Sequence, residues 1–152
     1  MKSLLVLNGP NLNLLGQREP EQYGSSTLND VEALCRQKGE SLNLGVECFQ
    51  SNHEGVLIDA IHEAGRNHKS GELIGVVFNA GAYTHTSVAL HDAIKGAQVP
   101  VIELHISNVH ARESFRHHSY LTPAAIGVIA GFGVNGYALA IQALAERAEM
   151  SS

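Results

Sequence analysis

Apolar residues gather in five short runs along the chain, at residues 4–7, 44–49, 74–78, 99–104 and 126–130. Between the runs, apolar side chains recur every three or four positions, the period of a helix with one buried face. Leu28, Val31, Leu34 and Cys35 mark a helix over residues 27–38. Leu57, Ile58, Ile61 and Ala64 mark a second, with Ser51 and Glu54 spaced as a capping box at its start. Residues 86–94 form a third, and Tyr137, Ile141, Leu144 and Ala148 define a fourth. Alternation of strand and helix from end to end predicts βαβ units built on a parallel sheet. In the run at 44–49, Leu44, Val46 and Cys48 alternate with Gly45 and Glu47, whereas the other runs are nearly all apolar. That run is expected at a half-exposed sheet edge.

Without internal repeats or linkers, the pattern reads as one α/β domain over residues 1–152, a flavodoxin-like, doubly wound sheet of five parallel strands. Four of the runs lead straight into polar clusters: Asn8-Gly9-Pro10-Asn11, Gln50-Ser51-Asn52-His53, Asn79 through His85, and His105-Ile106-Ser107-Asn108. Ligands of open parallel sheets bind beyond the carboxyl ends of the strands, so the clusters predict a single assembled polar site.

Composition narrows the possibilities. A chain of 152 residues with 44% apolar content and a net charge of −5 supports one buried core, and its singly scattered Lys and Arg form no basic stripe for nucleic acid. No apolar run approaches the ~20 residues of a membrane span. Cys35 and Cys48 lack paired metal spacing and no secretory leader precedes the first strand, so a reducing cytoplasm is expected. Gly131-Phe132-Gly133-Val134-Asn135-Gly136 matches a dinucleotide-binding fingerprint, but the chain ends one helix later, without the second strand and ribose-binding acid that such a site needs. Those glycines read instead as a tight strand-to-helix turn. The 9 histidines show no metal-ligand spacing, and neighbouring His117 and His118 cannot easily share an ion, so neither metal nor cofactor is expected. No serine sits in a nucleophile elbow, and Lys2, Lys38, Lys69 and Lys95 lie away from the strand-end clusters, against Schiff-base chemistry.

Two pairs of residues suggest proton transfer. The segment 9–24, long and glycine-bounded, carries Asn11, Asn13, Arg18, Glu19 and Tyr23 and reads as an active-site lid. A guanidinium such as Arg18 beside Tyr23 favours the phenolate and makes a base of it; a surface tyrosine stacked on an arginine is the plainer alternative. Glu103 and His105 stand two apart at a strand end and therefore share one side of the sheet. A carboxylate beside an imidazole stabilises the imidazolium and leaves a proton to donate, although a structural ion pair fits the same spacing. The backbone amides of Ile106 and Ser107, with Asn79 from the adjacent strand, suit a small carboxylate. His85 and Asp92, seven apart, share one face of the third helix if that helix begins early enough, and Arg112, Arg116, His117 and His118 follow strand four in a polar loop.

Taken together the blocks resemble the type II 3-dehydroquinate dehydratases. The resemblance rests on residues 7–16 (LNGPNLNLLG) with Arg18-Glu19-Pro20 and Tyr23-Gly24, on residues 50–55 (QSNHEG), on residues 79–87 (NAGAYTHTS), and on residues 103–113 (ELHISNVHARE) with Phe115-Arg116. It spans nearly the whole chain. It implies dehydration of 3-dehydroquinate to 3-dehydroshikimate through an enolate, with no metal, cofactor or Schiff base, in the shikimate pathway of aromatic amino acid biosynthesis or in quinate breakdown. By resemblance Tyr23 is the base, kept ionised by Arg18. Asn11 holds a water on the enolate, and His105, supported by Glu103, protonates the leaving hydroxyl. Asn79, Ile106 and Ser107 match the carboxylate site, and His85 and Arg116 match the hydroxyl-binding groups. The family assembles as a homododecamer, a tetramer of trimers, in which the position of Asp92 reaches a neighbouring subunit's site. Val56 and Ser114 depart from the usual pattern and touch no catalytic role. A flavodoxin-like module that holds a polyhydroxy acid without converting it, and a flavin-binding electron carrier, share the expected fold.

Overall fold

The structure, a computed structural model, describes residues 1–17, 21 and 24–151. Its strands are β1 (Ser3–Asn8), β2 (Gly45–Gln50), β3 (Leu73–Asn79), β4 (Val101–His105) and β5 (Gly127–Ala130). Its longer helices are α1 (Leu28–Ser41), α2 (Glu54–Lys69), α3 (Val88–Ala97) and α4 (Asn135–Met150). The sheet runs β2-β1-β3-β4-β5 with every neighbouring pair parallel. This is the flavodoxin-like order that the alternating pattern predicted.

Side chains of a strand point alternately to the two faces of a sheet, and the core divides accordingly. Leu4 and Val6 of β1, Val77 of β3, and Ile102 and Leu104 of β4 pack against Val31 and Cys35 of α1 and Tyr137, Ile141 and Leu144 of α4. Leu5 and Leu7, Val76 and Phe78, and Val101 pack on the other face against Leu57 and Ile61 of α2 and Leu90 and Ile94 of α3. By the same alternation, the last side chains of β1 and β3, Asn8 and Asn79, turn toward the face of α1 and α4. Glu103 and His105 of β4 turn the other way. Polar residues at the strand ends thus inherit their direction from the apolar residues before them.

Several local expectations shift. The capping box forms at α1, where Thr27 Oγ1 accepts from the Asp30 amide at 3.2 Å and Asp30 Oδ2 accepts from the Thr27 amide at 3.0 Å. It does not form at α2: the Ser51 hydroxyl accepts from the His53 amide instead, while the Glu54 carboxylate accepts from the Ser87 hydroxyl that caps α3. Tertiary partners there outcompete the local reciprocal bond. The edge position of β2 is as expected, but apolar β5 forms the opposite edge, with Val128 45% exposed. At the exit of β1, a Cβ on Gly9 would sit 2.5 Å from the Ala80 carbonyl oxygen, so only glycine lets the turns after β1 and β3 close on each other. Gly131, at φ +92° and against Asn108, belongs to the tight turn into α4, as the plainer reading of the glycine fingerprint held.

Candidate active site

Adjacent strands end level with one another, Asn8 opposite Asn79 and Phe78 opposite Glu103, so the segments that leave them emerge side by side. Together they line a pocket: Pro10, Asn11 and Leu12 after β1; Asn79, Gly81, Ala82 and His85 at the end of β3; and His105, Ile106, Ser107, Val109, Arg112 and Arg116 from β4 onward. Three of the four polar clusters therefore converge, and the cluster after β2 contributes no lining residue among those described. It acts as a buttress. Asn52 Oδ1 accepts from the Asn11 amide at 3.0 Å, Gln50 donates to the Gly9 carbonyl at 3.1 Å, and Tyr83 donates its hydroxyl hydrogen to the Asn52 carbonyl at 2.8 Å. These bonds hold Asn11 in a left-handed conformation, φ 68° and ψ −2°, which asparagine tolerates better than most residues.

On β4, Glu103 and His105 meet as their spacing predicted: His105 Nε2 lies 2.5 Å from Glu103 Oε2. Both side chains are buried, Glu103 to 2% exposure. The second carboxylate oxygen accepts the Thr122 hydroxyl at 2.6 Å. Burial on its own would push the Glu103 carboxyl up, but hydrogen bonds from His105, Thr122 and Ser119 outweigh it and hold the group below the usual carboxylate range. With Nε2 engaged by an anion, the remaining nitrogen of His105 is the one available to the pocket.

His85 does not share a helix face with Asp92. It ends a short 3-10 segment (Gly81–His85), and α3 begins separately after its cap at Ser87. A seven-residue spacing carries positional meaning only inside one continuous helix. Asp92 lies exposed on α3 and does not line this pocket, whereas His85 does. Its ring stacks on that of His105 with centroids 6.3 Å apart, and its Nδ1 donates to the His118 carbonyl at 2.8 Å. Partial burial, reinforced by His105 and Arg116, holds the His85 imidazole below its ordinary range despite the bond to His118. Neutral His85 then presents an unprotonated Nε2, an acceptor for a hydroxyl.

That depression has a measurable sign. As pH falls through the ordinary imidazole range, the unfolded chain takes up a proton that folded His85 refuses, so wild type loses stability relative to His85→Gln. Melting curves recorded from about pH 7 to about pH 5 should show the difference moving in favour of the variant; parallel curves would contradict the assignment.

A third constellation lies beneath Asn79. Because Asn8 and Asn79 are neighbours in register on one face, the hydroxyl of Tyr137 from α4 reaches both: it donates to Asn8 Oδ1 at 2.6 Å and accepts from Asn79 Nδ2 at 3.0 Å. Burial pushes the Tyr137 phenol far above its ordinary range, so it stays a donor. Asn79 Oδ1 also accepts from the Gly81 amide at 3.2 Å, which fixes the direction of its amide group. Arg112, its side chain only 8% exposed, donates to the Ser107 hydroxyl at 3.3 Å, and Arg116 pairs with Glu113 at 2.7 Å beside the ring of Phe115.

Of the expected lid, Arg18, Glu19, Pro20, Gln22 and Tyr23 lie outside the described residues. None of the lysines lines the pocket. Among the described residues, no group of three His, Cys, Asp or Glu converges as a metal site, and no helix is long and apolar enough to cross a membrane. The two cysteines are free, and burial pushes Cys35 up to about 12 and Cys48 up to about 11, far from a reactive thiolate. A larger concavity of about 480 Å³ runs along β2 and α2, lined by Glu47, Phe49, Asp59, Glu63 and Arg66 among others. It holds no imidazole and lies away from the convergent strand ends, so the chemistry belongs to the smaller pocket. Sequence reasoning missed Thr122 and Tyr137 as partners of the site, and placed Arg112 only in a loop. The partners of Thr122 and Tyr137 stand 19 to 129 positions away, beyond any local pattern.

The family described as Dehydroquinase class II matches residues 2–145. A 3-dehydroquinate dehydratase of Marinomonas sp. (strain MWYL1) is 70% identical over 147 residues, covering 97% of this chain and 98% of that protein. One from Variovorax paradoxus (strain S110) is 72% identical over 144 residues, covering 95% and 99%. Among solved structures, the type II dehydroquinase from Propionibacterium acnes superposes with a TM-score of 0.90 at 43% identity, over 96% of this chain and 97% of that one.

Proposed function

Because the chain belongs to the class II dehydroquinase family, a family of hydro-lyases, we propose that its strand-end pocket converts 3-dehydroquinate to 3-dehydroshikimate with its own side chains as base and acid. Tyr23, held as phenolate by the Arg18 guanidinium, takes a proton from the carbon beside the ketone. The electron pair moves onto the ketone oxygen, and a water held by Asn11 stabilises the enolate. As the enolate collapses, the carbon–oxygen bond at the β position breaks and His105 gives its proton to the departing hydroxyl, which leaves as water. Asn79 and the amides of Ile106 and Ser107 take the substrate carboxylate; His85 and Arg116 take hydroxyl groups.

One observation carries the reading: a buried imidazole paired with a carboxylate at 2.5 Å, in a pocket that also gathers Asn11, Asn79, His85 and Arg116. An anionic Glu103 balances the imidazolium before proton donation and leaves a neutral ring beside an anion afterwards. The lysines, outside this pocket, fit a route that forms no imine. The same reading carries a homododecamer, a tetramer of trimers, in which Asp92, exposed on α3, serves the pocket of an adjacent subunit.

Purified protein mixed with 3-dehydroquinate should develop the ultraviolet absorbance of a conjugated enone. A flat trace would refute the assignment, and a flat trace with tight binding would favour a module that holds the polyhydroxy acid unchanged.

A further inference from the structure

Both oxygens of Glu103 are engaged, one by His105 and the other, at 2.6 Å, by a hydroxyl 19 positions further along the chain. We propose that Thr122 is a positioning residue for the acid step: its hydroxyl fixes the rotation and the ionised state of Glu103, and through Glu103 aims His105 into the pocket. The inference rests on the functional reading above and adds to it a group that touches no substrate.

The Thr122 hydroxyl is not a loose rotor. The Ser119 hydroxyl oxygen accepts from the amides of Leu121 and Thr122 at 3.0 and 3.2 Å, and Leu121 is buried in the core against α2 and α3. One turn earlier the Tyr120 amide donates to the Thr84 carbonyl at 2.9 Å, and the His118 carbonyl receives His85. The segment from His118 to Thr122 thus grips both stacked imidazoles, His85 through a backbone oxygen and His105 through Thr122 and Glu103. Facing an anion, the hydroxyl must donate, and a hydrogen delivered to Oε1 opposes a proton on that oxygen while leaving Oε2 to His105. The titratable neighbours of this carboxylate are His105 on its own strand and His85 beyond the end of β3, with Arg116 acting on His85. In register with Glu103 on β3 and β5 stand Phe78 and Val128, which do not titrate. Thr122, with Ser119, is accordingly what keeps the carboxylate charged from the side opposite His105.

Thr122→Val removes the hydrogen at nearly constant shape, and Thr122→Ser keeps it. The valine variant should lose roughly 10-fold to 100-fold in kcat, the scale of one hydrogen bond to a charged group, with KM changed by no more than about twofold. Its acid limb should move to higher pH, because a Glu103 carboxyl without that donor takes up a proton earlier as pH falls. The serine variant should restore both. Proton NMR of the resting protein gives a readout independent of turnover: the His105–Glu103 hydrogen bond should give a far-downfield signal that shifts in the valine variant and returns in the serine variant. A valine variant with near-normal kcat, an unmoved acid limb and an unmoved signal would overturn the proposal. So would a uniform loss that serine fails to rescue. If wild type produced no enone, the functional reading would fall and the NMR arm would still decide whether Thr122 governs the pair. Should the valine variant fail to fold, Thr122→Ala takes its place in the same comparison.

Discussion

His105→Gln is expected to lower kcat by about 10²–10⁴-fold, the usual contribution of a positioned general acid, while the fold stays intact. Glutamine is the informative replacement because its amide can still donate to the Glu103 carboxylate, which is 2% exposed and would otherwise lose a hydrogen-bond donor. Glutamine cannot release a proton near neutrality, so the substitution separates the acid role from the structural one. His105→Ala confounds the two. It takes from Oε2 of a buried carboxylate its His105 partner, at a cost of roughly 1–3 kcal/mol of stability in addition to lost turnover. Thermal melts and steady-state kinetics on the two variants decide the matter. A glutamine variant retaining most of its kcat would remove His105 from the acid role, leaving the 2.5 Å contact as an ion pair of the core.

Tyr23→Phe should be comparably damaging, with kcat down about 10²–10⁴-fold and affinity for a competitive carboxylate ligand nearly unchanged. The side chain loses one oxygen and keeps its ring, so the substitution tests the proposed base alone. The partner substitution reports on the base itself. On the proposed pairing, a phenol without the guanidinium of Arg18 would hold its proton to higher pH, and the ascending limb of the rate profile for Arg18→Gln should move toward alkaline values. A Tyr23→Phe enzyme with near-normal kcat would require another base. Coincident limbs in wild type and Arg18→Gln would detach the arginine from the tyrosine.

Much of this arrangement was legible in the sequence, for a physical reason. Parallel strands buried on both faces are written as apolar runs, and the residue at which such a run turns polar marks where the chain leaves the core. Asn8, Asn79 and His105 could therefore be assigned to one end of the sheet before any coordinates. The two-residue period of a strand was enough to pair Glu103 with His105. Other features depend on contacts that no local period encodes. Ser51 and Glu54 have the spacing of a capping box, yet each bonds elsewhere because closer partners arrive through tertiary packing. His85 and Asp92 have helical spacing, but a 3-10 segment and a new cap interrupt the helix between them. The β2 cluster resembles its neighbours in composition, and only its place at the sheet edge makes it a support for the Asn11 turn. Thr122 and Tyr137 look unremarkable in the chain because each acts on residues brought near by folding.

The bridge from Tyr137 to Asn8 and Asn79 ties the two ends of the chain's architecture together. A helix formed from the C-terminal residues supplies the single hydroxyl that fastens amides from the first and third strands. Without that helix, the amides of Asn8 and Asn79 beneath the strand-end pocket would remain unfastened. Loss of α4 would therefore be felt 58 to 129 positions away in the sequence, at the two asparagines that share the Tyr137 hydroxyl.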